Sequence, residues 1–296
     1  MKKRLTGVLL CLLLCALLCP QPARAEEPAA FFDDTERDAI GRIVRTYDSP
    51  TLKYVMEKMK MEGEICYLTR IWVKDPASQI RKATSPWKKD VAYPDRIVRQ
   101  IPETVLAING SGFVSPLYPW IPEDYPGVSK DYHYTPLGSV TVTDGEVLRN
   151  LEGVPYYGLT LDDDGLQMYV GEDNEKVLET NPRQTWSFYI QCPMMRDNED
   201  ILPQDWPFAD RGAARTVIAR QNRNNYLILT VTKQRGKGLT LRRVVDFFRD
   251  NFRTEWVYNL DGGDSTALMC RKQGKKNLRL VIDRGARIVD VMAFVE

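Results

Sequence analysis

Histidine is almost missing from this chain: His133 is the only one in 296 residues. A Ser-His-Asp or Cys-His centre would have to use it, and a zinc site built from several histidines is excluded. Cysteine is scarce where it would matter. Of six cysteines, Cys11, Cys15 and Cys19 fall in the first 25 residues, leaving Cys66, Cys192 and Cys270. Three cysteines close at most one internal disulfide, and no two of them have metal-binding spacing. The chain therefore encodes neither a disulfide scaffold nor a cysteine metal knot. Neither charge is in strong excess, with 41 basic residues against 40 acidic ones. Such a balance sets up no field to draw in nucleic acid or an anionic membrane. Beyond the first 25 residues no apolar run is long enough to cross a membrane. There is no internal repeat and no long low-complexity linker. Carboxylates, arginines, hydroxyls and backbone amides are left to carry most of any chemistry.

The amino terminus has the layout of a secretory signal. Lys2, Lys3 and Arg4 form a basic head, Val8 to Leu18 an apolar core, and Ala23-Arg24-Ala25 a small-x-small cleavage site. Cleavage before Glu26 is expected; an uncleaved anchor is one alternative, and a lipoprotein reading fits less well because Leu18 precedes Cys19 where a small residue is expected. The remaining chain has 271 residues (296 less 25), and loses four basic residues and no acidic one, so 37 basic face 40 acidic, net −3. The expected organisation is a signal peptide over 1–25, an acidic leader over 26–50 and one main domain over 51–296, working outside the cytoplasm.

From Leu52 the text reads as strands. LKYVMEKMKM and EICYLTRIWV flank Gly63, and Asp75-Pro76 ends the pair. SQIRKATS and YPDRIVRQ read as a loop and a short helix. Val105 to Ile108 is a buried strand that runs into Asn109, Gly110, Ser111 and Gly112. Residues 114–135 follow as a long loop rich in proline and aromatics, and a loop of that length beside a strand end is often functional. Asp144-Gly145 and Asp164-Gly165 each centre a hairpin. The acidic run Asp162 to Asp164 lacks the ligand spacing of a calcium loop and reads as a solvated turn. Arg215 begins one strand of a pair joined by an Asn-rich turn at Asn222 to Asn225. Gly238 to Phe252 is the clearest helix, with Leu241, Val244, Val245, Phe248 and Phe252 on one face and Thr240 as its cap. Many strands and few helices suggest an α+β (α/β) fold: a mixed, largely antiparallel sheet with helices packed on it.

The stretch WVYNLDGGDSTALM, Trp256 to Met269, concentrates the chemistry. A buried strand ends in Asp261, and Gly262 and Gly263 leave backbone amides uncovered. The alternative is a tight Asp-Gly turn between two core elements. Asp264 could pair with Asp261 or be solvated. Ser265 and Thr266 are hydrogen-bonding candidates or a helix cap. Asn259, inside the strand, reads as a structural hydrogen-bonder, and His133 as an exposed loop residue.

Four pieces in order, AINGSGF, GSVTVTDG, RTVIARQ and GLTLRRVVDFF leading into NLDGGDST, resemble the phosphodiester glycosidase family. The resemblance spans Leu52 to the C-terminus, and its most specific part is NLDGG after a helix that starts GLTL. It implies hydrolysis of a sugar-1-phosphodiester linkage in a carbohydrate or phosphosugar polymer. A cation or amide nest would hold the phosphate, and a carboxylate would stand near the anomeric carbon. Arg215 suits the phosphate and Asp261 the proton transfer or electrostatic role. Asn109 would bind a sugar hydroxyl or orient water, with Gly110, Gly262, Gly263, Ser265 and Thr266 lining the substrate. No cofactor is implied, and a requirement for a divalent metal is left open. Three positions depart from the family pattern: Asp264 stands for a third glycine, Ala219 for a glycine after the RTVI strand, and Thr232-Lys233 for an Asp-Gly. The last departure motivates an alternative, a non-catalytic protein that binds glycan in the same cleft. A serine hydrolase acting through Ser265 fits poorly, since there is no G-x-S-x-G elbow.

Overall fold

Alternating and continuous apolar strands build three antiparallel sheets around one shared core. The structure, a computed structural model, describes residues 31–32, 37–85, 90–114, 135–136, 138–188, 192–233 and 237–296. The expected signal peptide, His133 and most of the 114–135 loop lie outside the described residues. The largest sheet runs β1 (Arg42–Asp48), β2 (Leu52–Met61), β3 (Glu64–Val73), β16 (Asn225–Val231), β15 (Arg215–Arg220), β17 (Trp256–Asn259), β13 (Pro193–Arg196), β14 (Glu199–Asp200). A second runs β11 (Gly165–Glu172), β10 (Tyr156–Asp162), β12 (Gln184–Trp186), β8 (Val140–Thr143), β9 (Glu146–Asn150). A third runs β19 (Leu278–Asp283), β18 (Ala267–Arg271), β5 (Thr104–Asn109), β20 (Asp290–Val295), β4 (Ile80–Thr84). β6 (Phe113–Val114) and β7 (Thr135–Pro136) form a short separate pair.

The expectation of an α+β fold with a mixed sheet is corrected here. Every described strand pairing is antiparallel. Among the described residues only the helix Leu241–Asn251 exceeds six residues; the others are Pro76–Gln79, Pro94–Val98 and Asn174–Glu179. The protein is mostly β. The physical reason lies in what covers each sheet. Tyr226 and Ile228 on β16 enter the shared core, where they meet Leu159 and Trp186 of the second sheet and Ile108 and Leu268 of the third. Leu227, Leu229 and Val231 of the same strand pack in a second cluster with Leu241, Val244 and Phe248 of the long helix. One face of the large sheet is thus covered by other sheets and only the opposite face by that helix. A sequence run that is apolar on both faces is compatible with either cover.

The long helix forms as its sequence indicates. Thr240 Oγ1 accepts a hydrogen bond from Arg243 N at 3.1 Å and caps the first turn. IRKAT, read as part of a loop, is strand β4, paired with β20. Residues 42–48, read as leader, pair with β2 as an edge strand. The crossover that matters for function is the short one from β17 to β18. It carries the chain from the large sheet to the third sheet, and residues 260–266 are that crossover.

Candidate active site

Asp261 is seated at this junction. Leu260 N donates to Thr216 O in the large sheet at 2.9 Å, and Asp261 N donates to Gly110 O beyond β5 at 3.1 Å. Asn109 ties the same two sheets with its side chain. Its Nδ2 donates to Asp261 O at 2.7 Å, and its Oδ1 accepts from Thr216 Oγ1 at 2.6 Å and Ala267 N at 3.0 Å. With its amide engaged by three protein partners and fully buried, Asn109 is placed as a strut beneath Asp261. The Asp261 carboxyl is 8% exposed as a residue and accepts from Gly262 N at 2.7 Å. Burial pushes it up to about 7, and the negative charge of Asp290 adds to the rise; the Ser265 hydroxyl and the Gly262 amide pull the other way. A carboxyl with such a value is suited to exchanging protons at neutral pH.

The two glycines have separate reasons. A Cβ on Gly262 would lie 2.7 Å from Ala214 O, so the loop can press against the β15 entry only without a side chain. Gly263 has φ +60°, a left-handed conformation, and its N–H donates to Ala214 O at 2.9 Å. Asp264 follows in a 3-10 turn, Gly263–Ser265, with a φ that is not positive, which is why a side chain is tolerated there. That side chain is 75% exposed and pairs with Arg284 at 3.3 Å. Ser265 is buried beside Asp261, and Thr266 Oγ1 is buried with no hydrogen-bond partner among the described residues.

Arg215 enters the same region from β15. The Cβ position of Gly262 falls 3.7 Å from Arg215 Cα, so Arg215 and Asp261 stand on adjoining backbone. Arg215 is 1% exposed. Its Nε donates to Leu239 O at 3.2 Å, its Nη2 donates to Arg211 O, and its guanidinium lies 5.3 Å from the Phe208 ring. Among the described residues no Asp or Glu lies within ion-pair distance of it. Burial lowers it to about 10, the Cys192 thiol opposing and the Arg211 charge reinforcing the shift. A buried cation held by neutral carbonyls and an aromatic ring, with no carboxylate partner among the described residues, is suited to receive an anion.

Several contributors carry no motif of their own. Thr216 holds Asn109. Cys192 receives a 3.7 Å contact from Asn259 Nδ2, and burial pushes its thiol up to about 12. Lys82 and Asp290 lie under the Gly110 turn. The Thr beside Arg215 in RTVIA is the one available signal for Thr216; nothing local marks the others. Thr232, one of the positions noted above as departing from the resembled pattern, donates through Oγ1 to Ile65 O at 2.9 Å and so is tied to β3. Cys66, Cys192 and Cys270 are free and buried. Among the described residues no group of three or more His, Cys, Asp or Glu is arranged to hold a metal ion.

This β-rich fold is shared with solved structures. The zebrafish N-acetylglucosamine-1-phosphodiester alpha-N-acetylglucosaminidase catalytic domain, auto-inhibited by its pro-peptide, matches with a TM-score of 0.61 and 18% identity, covering 86% of this chain and 87% of that one. A hypothetical protein from Synechocystis matches with a TM-score of 0.53 and 13% identity, covering 87% of this chain and 65% of that one. No curated protein matches the chain at a significant level. The sequence model of the phosphodiester glycosidase family matches residues 103–295, and the chain belongs to that family.

Proposed function

We propose that this chain hydrolyses a sugar-1-phosphodiester, of the GlcNAc-1-phosphodiester kind, in a glycan or cell-surface polymer outside the cytoplasm. The observation that carries the reading is a pair: a buried carboxyl titrating near 7 at Asp261, on backbone adjoining a buried guanidinium at Arg215 that has no carboxylate partner among the described residues. The substrate phosphate supplies a counter-charge. The C1–O bond breaks with its electron pair going to the phosphate oxygen, and Arg215 stabilises the charge that gathers there. The departing phosphate is a good leaving group and needs little help from an acid. The ionised form of Asp261 therefore does more than the protonated form: it stabilises the cationic sugar and takes the proton of the attacking water.

Incubation of the purified protein with a GlcNAc-1-phosphodiester, followed by assay for released sugar, tests this. Asp261→Asn is expected to abolish release with the fold intact, and undiminished turnover would remove Asp261 from the mechanism. Arg215→Ala is expected to lower turnover on the order of 10²–10³-fold. An equal loss on a neutral aryl glycoside would argue against phosphate binding. A second reading has one observation in its favour. Arg215 donates to two backbone carbonyls and Thr232 to β3, an arrangement that also serves a cleft that only binds glycan phosphate. Binding without release identifies that case.

A further inference from the structure

Asp290 opens β20 and is buried against Lys82 of β4, each side chain 1% exposed. Lys82 Nζ stands 3.3 Å from Asp290 Oδ2, donates to Thr185 O at 2.7 Å, and lies 5.8 Å from the Trp186 ring. Asp290 in turn holds the turn that follows β5. Its Oδ1 accepts from Ser111 N at 2.6 Å, and its backbone oxygen accepts from Gly110 N at 3.1 Å. A Cβ at position 110 would fall 2.0 Å from Asp290 Oδ1 and 2.9 Å from Trp186 Cδ1. Glycine at 110 is what lets the carboxylate lie flat against the turn. Gly110 O is the acceptor for Asp261 N at 3.1 Å. A continuous path therefore runs from Lys82 through Asp290 and the 109–111 turn to the backbone of Asp261.

A neutral asparagine at 290 could accept the Ser111 bond without taking two charges out of water. Burying a matched pair instead is no gain in stability over apolar side chains of similar volume, so the charge has some other use. We propose that Asp290, held by Lys82, is a positioning residue for the reaction: its carboxylate fixes the turn that seats Asp261, and its charge acts on Asp261 across that turn. This rests on the reading of Asp261 as the proton-transfer group. Among the described residues, Asp290 on β20 is the titratable group whose charge acts on Asp261, with Ser265 and the Gly262 amide as its polar contacts; Asp261 in turn acts on the Cys192 thiol ahead of β13. Lys82 stands behind Asp290, and Arg215 acts on Cys192. Asp290 is the one of these whose ionised form holds the proton on Asp261.

Asp290→Asn keeps an acceptor for Ser111 N and removes the charge. Asp290→Asn combined with Lys82→Met removes both charges and serves if the single variant does not fold. The Asp261 carboxyl is followed by carbon-13 NMR in protein labelled at its aspartate carboxyls, its resonance assigned by loss in Asp261→Asn. From about 7 in the native protein, the midpoint is expected to fall in Asp290→Asn and to fall less in the double variant, where loss of the Lys82 cation opposes loss of the Asp290 anion. The acid limb of kcat/KM on the sugar phosphodiester moves with it. A purely structural Asp290 would lower activity without moving either midpoint, and an unmoved carbon-13 titration in both variants overturns the proposal. A native protein that titrates near 7 yet releases no sugar sinks the hydrolase reading instead, and the NMR comparison still decides the role of Asp290.

Discussion

Burying a carboxyl sets folding against ionisation at Asp261. The unfolded chain releases that proton near pH 3.9, whereas the folded protein holds it to about 7. Between those values the folded state carries a proton that the unfolded state has lost, so stability falls as pH rises through the window. Above pH 7 the penalty reaches about 4 kcal/mol. Asparagine keeps the acceptor for Gly262 N and never ionises. Asp261→Asn is therefore expected to melt several degrees above the native protein at pH 8, and within a degree or two of it at pH 4. Equal melting temperatures at pH 8 would mean that the carboxyl is not desolvated. The same protonation predicts that kcat/KM rises with pH through about 7, since the ionised form is the base; a profile that instead falls through that region assigns Asp261 as the acid.

Gly238, at the entry to the long helix, shows how an element can hold a site residue. It has φ +75°, and a Cβ there would fall 2.2 Å from the carbonyl of Ala213. Leu239, next in sequence, pairs with Ala213 through N–H donation at 3.0 Å, and its own oxygen receives Arg215 Nε. Gly238→Ala is expected to cost about 2–5 kcal/mol in urea unfolding, from left-handed strain plus backbone overlap. Thr240→Ala, two residues on, removes only a cap and is expected to cost about 1 kcal/mol. Similar losses for both would mean that the segment relaxes around the new methyl. This helix, with its cap and apolar face, could be read from the sequence because its signals are local. So could the Asp144-Gly145 hairpin and the glycines after Asp261; the hairpin expected around Asp164-Gly165 also forms, but it turns one residue earlier, at Asp163-Asp164, with Asp162 paired to Gly165. Strand β4 and the Lys82–Asp290 pair could not. IRKAT and DVMAFV carry no mark of what lies across from them, and their pairing is fixed only by the register of β20 between β4 and β5.

Fold class is decided at the scale of the whole molecule for the same reason: periodicity reports that a face is buried, not whether a sheet or a helix buries it. The shared core has a consequence that the sequence does not show. Ile218 and Tyr258 of the large sheet, Leu159 and Trp186 of the second, and Ile108, Leu268 and Phe294 of the third all meet in one apolar cluster. Asp261 and Asn109 are held by bonds that cross from one of these sheets to another, so the site exists only while the sheets stay together. Phe294 packs 6.4 Å from Tyr226 across that boundary. Its truncation to alanine leaves a void that neither rigid sheet can close, at a cost of about 3–5 kcal/mol. If the sheets are one cooperative unit, Phe294→Ala shifts the urea midpoint equally by tryptophan fluorescence, whose six reporters include Trp72 and Trp256 in the large sheet and Trp186 in the second, and by far-ultraviolet circular dichroism. Sugar release is lost at that same midpoint. A third sheet that unfolded alone would give two separated transitions, with activity lost at the earlier one because Asn109 leaves with it.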